Sequence, residues 1–254
     1  MSQAEVSGTI LSVSNLKKSF AGIQAVKGVT FDIRRGEVLS LLGDNGAGKS
    51  TLIKMLSGAY VADSGDIYFE GRKVLIQNPV DARKLGIEVI YQNLALLDNL
   101  SVPANIFMGR ELTHSAVPGL MNSREMKRKA QELLDGFGIN VGDIGREVRN
   151  LSGGQRQMVA ISRAVYFKAQ VIIMDEPTAA LGVAETRKVY EFIDRLKADG
   201  ISVVIISHNI NEVYAAADRF IVLKSGAIVG IKEKDRCQPS DIVSMIISGQ
   251  DIDN

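Results

Sequence analysis

Cysteine is almost missing from the sequence: Cys237 is the single one. No internal disulfide framework can form, and such usage suits a reducing compartment. The residue reads as an incidental thiol. An excess charge of either sign is also lacking, since 30 lysines and arginines stand against 29 aspartates and glutamates for a net charge of +1. That balance removes any reason to expect a nucleic acid partner or an electrostatic membrane anchor. No apolar run approaches the length of a membrane span, and the longest, such as Ser202 to Ser207, are strand-sized. Met1 to Glu5 lack the basic and apolar segments of a secretion signal, so none is expected. A protein of this kind working at a membrane must be held there by another chain. Internal repeats and low-complexity tracts are absent too. What remains is 254 residues, 46% hydrophobic and 23% charged, the composition of a globular protein with room for one large α/β domain or two small ones.

The most informative stretch is Gly43-Asp44-Asn45-Gly46-Ala47-Gly48-Lys49-Ser50-Thr51, which fits the phosphate-cradling pattern G-x-x-x-x-G-K-[ST]. Before it, Glu37 to Leu42 is short and apolar enough for a buried strand. After it, Leu52 to Leu56 is apolar at helical spacing. Strand, glycine-rich turn and helix start is the context the motif requires. Glycines let the backbone close around an anion with its N–H groups pointing inward. The helix beginning near Gly48 adds unpaired N–H groups and the positive end of its dipole. Lys49 brings a mobile charge for β- and γ-phosphates, and Ser50 a hydroxyl for Mg²⁺. A glycine turn that binds nothing is the plainer alternative, and the flanking elements argue against it.

Elsewhere the pattern alternates between strand and helix. Residues 10–14 and 29–33 read as short strands around a turn at Phe20-Ala21-Gly22, and residues 67–74 as a hairpin about Gly71. Ile87 to Tyr91 is another strand, ending at Gln92. From about 93 to 165 strand signal nearly vanishes: Pro103 to Gly109 is a short helical stretch, Ser123 to Phe137 a long charged one, with a loop through Pro118-Gly119 between them. Strands over 171–174 and 202–206, helices over 184–198 and 209–217, a hairpin about Ser225-Gly226 and a short helix near 240–247 complete the chain. The expected fold is α/β with a mostly parallel core sheet, an N-terminal β region and an inserted helical block.

Further candidates fall at set places along this frame. Ser152 is a good N-cap for a helix over 155–167, and Gly153 and Gly154 expose that helix's first N–H groups. Alone, Leu151-Ser152-Gly153-Gly154-Gln155 could be no more than a capped helix start. Asp175 and Glu176 end the apolar strand Val171 to Met174, and ligands in α/β folds gather at the carboxyl ends of strands. Asp175 could hold Mg²⁺ opposite Ser50, and Glu176 could orient or deprotonate an attacking water; a turn-forming Asp-Glu-Pro is the simpler reading. His208 follows the strand 203–206 and could reach a γ-phosphate, although a lone histidine is more often structural. Gln92 could touch Mg²⁺ or the water. Phe20 could stack on a base, although most aromatic residues are core.

These residues, in this order, resemble the ATP-binding-cassette (ABC) ATPase family over nearly the whole length. Gly43–Thr51 is similar to its Walker A loop, Val171–Glu176 to its Walker B strand with the catalytic glutamate, and LSGGQ at 151–155 matches its signature letter for letter. Gln92, His208 and Phe20 fall where the Q-loop glutamine, the switch histidine and the adenine-stacking aromatic belong. The resemblance implies a P-loop NTPase (RecA-like) core over residues 1–92 and 166–254, with an antiparallel β region near the N-terminus and a helical subdomain over about 93–165, all in one domain. It implies ATP and Mg²⁺ as ligands, with Ser50, Gln92 and Asp175 toward the metal and Glu176, His208, Gln92 and Lys49 in hydrolysis. It further implies a head-to-tail homodimer in which each ATP lies between one copy's phosphate loop and Ser152, Gly153, Gly154 and Gln155 of the other. One departure is Gly182, where the family commonly has the D-loop aspartate. Its absence bears on communication between the two sites, not on chemistry within each.

Thr178 to Val183 and Asn99 to Glu111 are similar to the ATP-binding subunits of bacterial monosaccharide importers, a group in which the missing aspartate is shared. A single cassette of this length is nearest the fructose-import type. The implied partners are integral membrane permease subunits and, indirectly, a periplasmic sugar-binding protein. The implied place is the cytoplasmic face of the inner membrane, with the chain peripheral through its permease. An exporter ATPase or a non-transport ABC protein is the competing reading. Leu94 to Leu97 and Ile106 to Met108 are unusually apolar; they either line a groove for a helix of the membrane subunit or form the small core of the helical block.

Overall fold

The computed structural model describes residues 8–114 and 117–251. A long hairpin opens the chain, β1 (Thr9–Phe20) and β2 (Ile23–Arg34), followed by β3 (Val38–Leu42), which runs through the glycine loop into α1 (Lys49–Leu56). A second hairpin, β4 (Ser64–Phe69) and β5 (Arg72–Val74), precedes α2 (Pro79–Lys84) and β6 (Ile87–Ile90). Next come α3 (Val102–Phe107), a small hairpin of β7 (Thr113–His114) and β8 (Val117–Met121), α4 (Ser123–Gly136) and α5 (Gly153–Tyr166). The chain then alternates: β9 (Val171–Asp175), α6 (Val183–Ala198), β10 (Ser202–Ile206), α7 (Ile210–Ala216), β11 (Arg219–Lys224), β12 (Ala227–Glu233) and α8 (Pro239–Ser248).

A six-stranded sheet in the order β12-β11-β3-β10-β9-β6 forms the centre, and a four-stranded antiparallel sheet, β2-β1-β4-β5, packs beside it. Within the central sheet β11, β3, β10, β9 and β6 are mutually parallel, and β12 pairs antiparallel at the edge. The largely apolar strands β3, β9, β10 and β11, in which even Ser40 and Ser202 are buried, are explained by burial on both faces. Alternate residues serve different cores, as the strand period of two requires. Leu39, Leu41, Ile173, Val204, Ile206 and Ile221 face α1 and the antiparallel sheet, while Val38, Leu42, Ile172, Met174, Val203 and Ile205 face α5 to α8. A third core, with Val102, Ile106, Phe107, Met126, Ala130 and Leu134, sits within the segment 102–159. Helix α5 belongs to two cores at once: Val159 packs into the third, Met158 and Ile161 against the central sheet. Among the described residues no helix is long and apolar enough to cross a membrane.

Two expectations need correction. The strands placed at 10–14 and 29–33 are segments of twelve-residue strands; polar residues such as Lys17, Lys18 and Lys27 broke the apolar pattern, yet the backbone ladder continues through Lys17 opposite Lys27. The loop expected through Pro118-Gly119 is a hairpin strand, pairing Thr113 with Met121. Its proline and glycine mask any strand signal. Ile106 and Phe107 are fully buried, which makes them core residues of the third cluster and removes them from any groove surface.

One buried ion cluster joins the two sheets. Arg219, at the start of β11, donates to the Asp32 carboxylate (3.0 Å) and carbonyl (2.6 Å) on β2 and to Glu37 Oε1 (2.7 Å) before β3. The Arg219 and Glu37 side chains are only 4% and 7% exposed. Burial pushes the Glu37 carboxyl up, opposed by the Arg34 backbone N–H and by Arg219. Arg219→Ala leaves that buried carboxylate unpaired and should cost about 3–5 kcal/mol. The check is urea unfolding, with a lower midpoint at an unchanged slope; native stability in the variant would show that the cluster does not hold the sheets together.

Candidate functional site

The glycine loop is wedged between two strands that sequence proximity does not reveal. Gly43 lies at φ 148°, and a Cβ there would sit 2.1 Å from the Leu223 carbonyl of β11. Gly48, at φ 105°, would meet the Ala25 carbonyl of β2 at 2.5 Å. Both positions therefore exclude a side chain by contact as well as by backbone conformation. Gly48 is also the N-cap of α1, which has no side-chain cap, so the first N–H groups of this helix are left for another acceptor. Lys49 folds back over its own loop, donating from Nζ to the carbonyls of Gly43 (2.5 Å) and Asp44 (3.0 Å).

A cleft of about 470 Å³ opens here, lined by Asn45 to Thr51, Gln92, Asp175, Glu176 and His208, with Ala25 and Ile206. Parallel register is what assembles it. Ile206 pairs with Asp175 on one side and Leu41 on the other, and Ile90 pairs with Met174. The residues that follow these strands consequently emerge at one edge. Burial pushes the Lys49 ammonium down, opposed by the charges of Glu176, Asp175 and Asp44. Burial pushes the Asp175 carboxyl up, as does Glu176 beside it, while Lys49 holds it back. Glu176 has a left-handed backbone, φ 52°, and donates its N–H to the Ile206 carbonyl at 2.8 Å. Its Oε1 lies 2.9 Å from Nδ1 of His208, an imidazole whose side chain is 73% exposed. A hydroxyl, an amide and a carboxylate (Ser50, Gln92, Asp175) share this cleft. That all-oxygen donor set suits Mg²⁺, which prefers one or two carboxylates, several waters and phosphate oxygens.

The remaining candidates lie elsewhere. Ser152 and Gln155 form a capping box at the start of α5, with Gln155 N–H on Ser152 Oγ (3.3 Å) and Ser152 N–H on Gln155 Oε1 (3.0 Å). The Gly154 N–H points to Glu185 of α6 at 3.4 Å. Ser152, Gly154 and Gln155 line a different cavity of about 390 Å³, together with Phe137 and Glu185, and none of Ser152 to Gln155 reaches the phosphate-loop cleft. Phe20 does not line that cleft either; its ring stands edge-on to Tyr60, centroids 5.1 Å apart. Gly182 is the N-cap of α6 with open space around it, followed by the exposed Val183.

Ala25 and Ile206 are contributors that sequence reading passed over. Neither carries chemistry a motif could flag, and each is placed by strand pairing. Arg163 of α5 is a third: it donates to the carbonyls of Leu94 and Ala95, both at 3.3 Å, and so holds the chain just beyond Gln92. Leu94 and Leu96 are partly buried against the cores, whereas Leu97 is 48% exposed.

A family model described as ABC transporter matches residues 26–179. The xylose/arabinose import ATP-binding protein of Sulfolobus acidocaldarius is 49% identical over 94% of each chain. The ribose import ATP-binding protein of Caldanaerobacter subterraneus is 40% identical over 94% of this chain but 47% of its own length, so the present chain spans about half of that relative. Among solved structures, an ATP-binding cassette captured as a dimer in a post-hydrolysis state with ADP and phosphate matches with a TM-score of 0.74 and 26% identity, covering 89% of this chain and 99% of that one.

Gly43→Ala tests the loop. The added methyl must displace the Leu223 carbonyl or the loop itself. Nucleotide affinity should fall by about tenfold or more, the equivalent of losing 1.4 kcal/mol. Titration of a fluorescent ATP analogue reads this directly; an unchanged affinity would place nucleotide binding elsewhere.

Proposed function

The chain belongs to the ABC transporter family, and from that premise we propose that it is the ATP-hydrolysing subunit of an importer that takes up a monosaccharide through a separate membrane permease. The observation that carries the ATPase reading is the meeting of Lys49, Ser50, Gln92, Asp175, Glu176 and His208 in one cleft at the carboxyl ends of parallel strands. Sugar import rests on relatives named for it, at 49% and 40% identity. Those relatives are named for xylose, arabinose and ribose, so fructose has no support from them and enters as one arm of an uptake panel.

In this reading the loop N–H groups, the N-terminus of α1 and Lys49 bind the β- and γ-phosphates of ATP. Mg²⁺, when bound with the nucleotide, neutralises charge on the phosphate oxygens, and Ser50, Asp175 and Gln92 are the residues that would hold it. Glu176 orients the attacking water and takes its proton as the water oxygen bonds to the γ-phosphorus and the bond to the ADP oxygen breaks. His208 keeps the Glu176 carboxylate aimed and presents its other ring nitrogen to the γ-phosphate. Phe20 stacks on the adenine. Ser152, Gly153, Gly154 and Gln155 lie away from the cleft of their own chain, so they serve a second copy, in a head-to-tail homodimer whose pairing buries each ATP between two chains. The dimeric cassette among the solved relatives supports a homodimer.

We place the chain in one cassette domain, a core of residues 1–92 and 166–254 with a helical subdomain over about 93–165, of which residues 1–7, 115–116 and 252–254 lie outside the described residues. It works at the cytoplasmic face of the cell membrane, peripheral through its permease, with a periplasmic sugar-binding protein supplying the solute. Exposed Leu97, beside the chain pinned by Arg163, is the docking point for a permease helix.

Two measurements test these assignments. Glu176→Gln should still bind ATP and accumulate as a dimer on a sizing column, while hydrolysis falls by ~10²–10⁴-fold; retained turnover would remove Glu176 from the mechanism. Leu97→Glu should abolish sugar uptake by the reconstituted complex and leave the ATPase rate of the isolated subunit unchanged. Uptake at the native rate would move the docking point elsewhere.

A further inference from the structure

The Glu176–His208 contact joins two separate turns, the one after β9 and the one after β10. One side chain outside the cleft bonds to both. Glu212, in the first turn of α7, accepts from the Thr178 hydroxyl through Oε2 at 3.2 Å and from the Asn209 side-chain amide through Oε1 at 2.6 Å. Thr178 stands two residues beyond Glu176 and is 8% exposed. Asn209 directly follows His208; it caps α7 by accepting from the Glu212 N–H at 3.4 Å, and its own N–H donates to Ser207 Oγ at 3.0 Å. A single carboxylate thus spans the two turns, within two residues of each member of the pair. The left-handed backbone of Glu176 persists only if surrounding contacts over-determine it. The Glu176 N–H bond to Ile206 holds one side of that turn, and the Glu212–Thr178 bond holds the other.

We propose that Glu212 is a positioning residue for ATP hydrolysis, a brace that keeps the Glu176 carboxylate and the His208 ring in register. It touches neither nucleotide nor water, and it acts through the pair. The proposal rests on the reading of Glu176 and His208 as the water-activating groups. Its chemistry makes a sharp prediction about replacements. Glutamine keeps an acceptor for Asn209 and turns the other oxygen into a donor toward Thr178, whose hydroxyl can accept. Both links survive in Glu212→Gln, and Glu212→Ala severs both. Thr178→Val removes one link at nearly constant volume.

The test is steady-state and single-turnover ATPase of the purified chain. Glu212→Ala should lower kcat by ~10–100-fold, the cost of misplacing a reacting group by about an ångström, with KM for ATP within about twofold of native. Thr178→Val should shift in the same direction, which keeps the test decisive if Glu212→Ala does not fold. Glu212→Gln should restore most of the native kcat. In a His208→Ala background, Glu212→Ala should lower the residual rate by clearly less than it does in the native chain, because the arm through Asn209 then has no ring to position and groups acting as a unit are not additive. A native kcat in both Glu212→Ala and Thr178→Val, or a full multiplicative loss in the His208→Ala background, would overturn the brace. If Glu176→Gln and His208→Ala themselves turn over ATP normally, the underlying reading of the pair fails instead.

Discussion

The parallel pairing of β3, β10, β9 and β6 carries every polar group of the phosphate cleft, because each of those strands delivers its chemistry at its carboxyl end. Ile206 pairs with both Leu41 and Asp175, and Ile90 with Met174. A slip of one residue in any pairing would exchange the side chains that fill one core with those that fill the other. The two cores on either side of the sheet, with Val203 and Ile205 facing one and Val204 and Ile206 the other, forbid it. Packing of ordinary aliphatic side chains therefore sets the positions of Lys49, Gln92, Glu176 and His208. The buried Arg219–Asp32–Glu37 cluster adds a second constraint by tying β11 to β2. Those are the two strands whose carbonyls press on Gly43 and Gly48.

The electrostatics of the cleft follow from its depth. Lys49 and Asp175 are pushed toward their neutral forms by burial, and each is pulled back in part by the other. A polyanion with a divalent cation satisfies both at once: negative charge near Lys49 favours the ammonium, and positive charge near Asp175 favours the carboxylate. The same groups that suit Mg²⁺ and ATP are thus those whose burial is least comfortable alone. Perturbation by burial together with a specific partner, inside a cleft, marks a candidate functional site.

Helix α5 links that cleft to the rest of the molecule. Its N-terminus carries Ser152 to Gln155 in a capping box, its middle packs against both the central sheet and the third core, and Arg163 near its end grips the chain beyond Gln92. In the proposed function, one rigid element thereby joins the segment that would meet a second copy to the loop beyond Gln92, at Leu94 and Ala95. In the proposed function this is how docking at the permease and closure over ATP would be felt together.

Much of the fold and site could be read from local sequence. The glycine loop, the capped start of α5, the carboxylates ending β9 and the histidine after β10 are all set by residues within a few positions of one another, where propensity, capping and the period of two act directly. The length of the β1–β2 hairpin could not be read, because half-polar strands are held by ladder partners and not by an apolar pattern; nor could β7–β8, where Pro118 and Gly119 conceal a pairing. The apolar stretch around Leu97 and Phe107 carried two meanings, and burial assigned Phe107 to the core while leaving Leu97 outside. Contacts between distant residues needed the tertiary structure: Gly43 against Leu223, Arg219 against Glu37, Glu212 between Thr178 and Asn209. By itself the sequence determined which groups are candidates to bind ATP and cleave its phosphoanhydride bond. The packed sheet decided which of them meet, because long-range contact is a property of how faces bury and not of any stretch of chain.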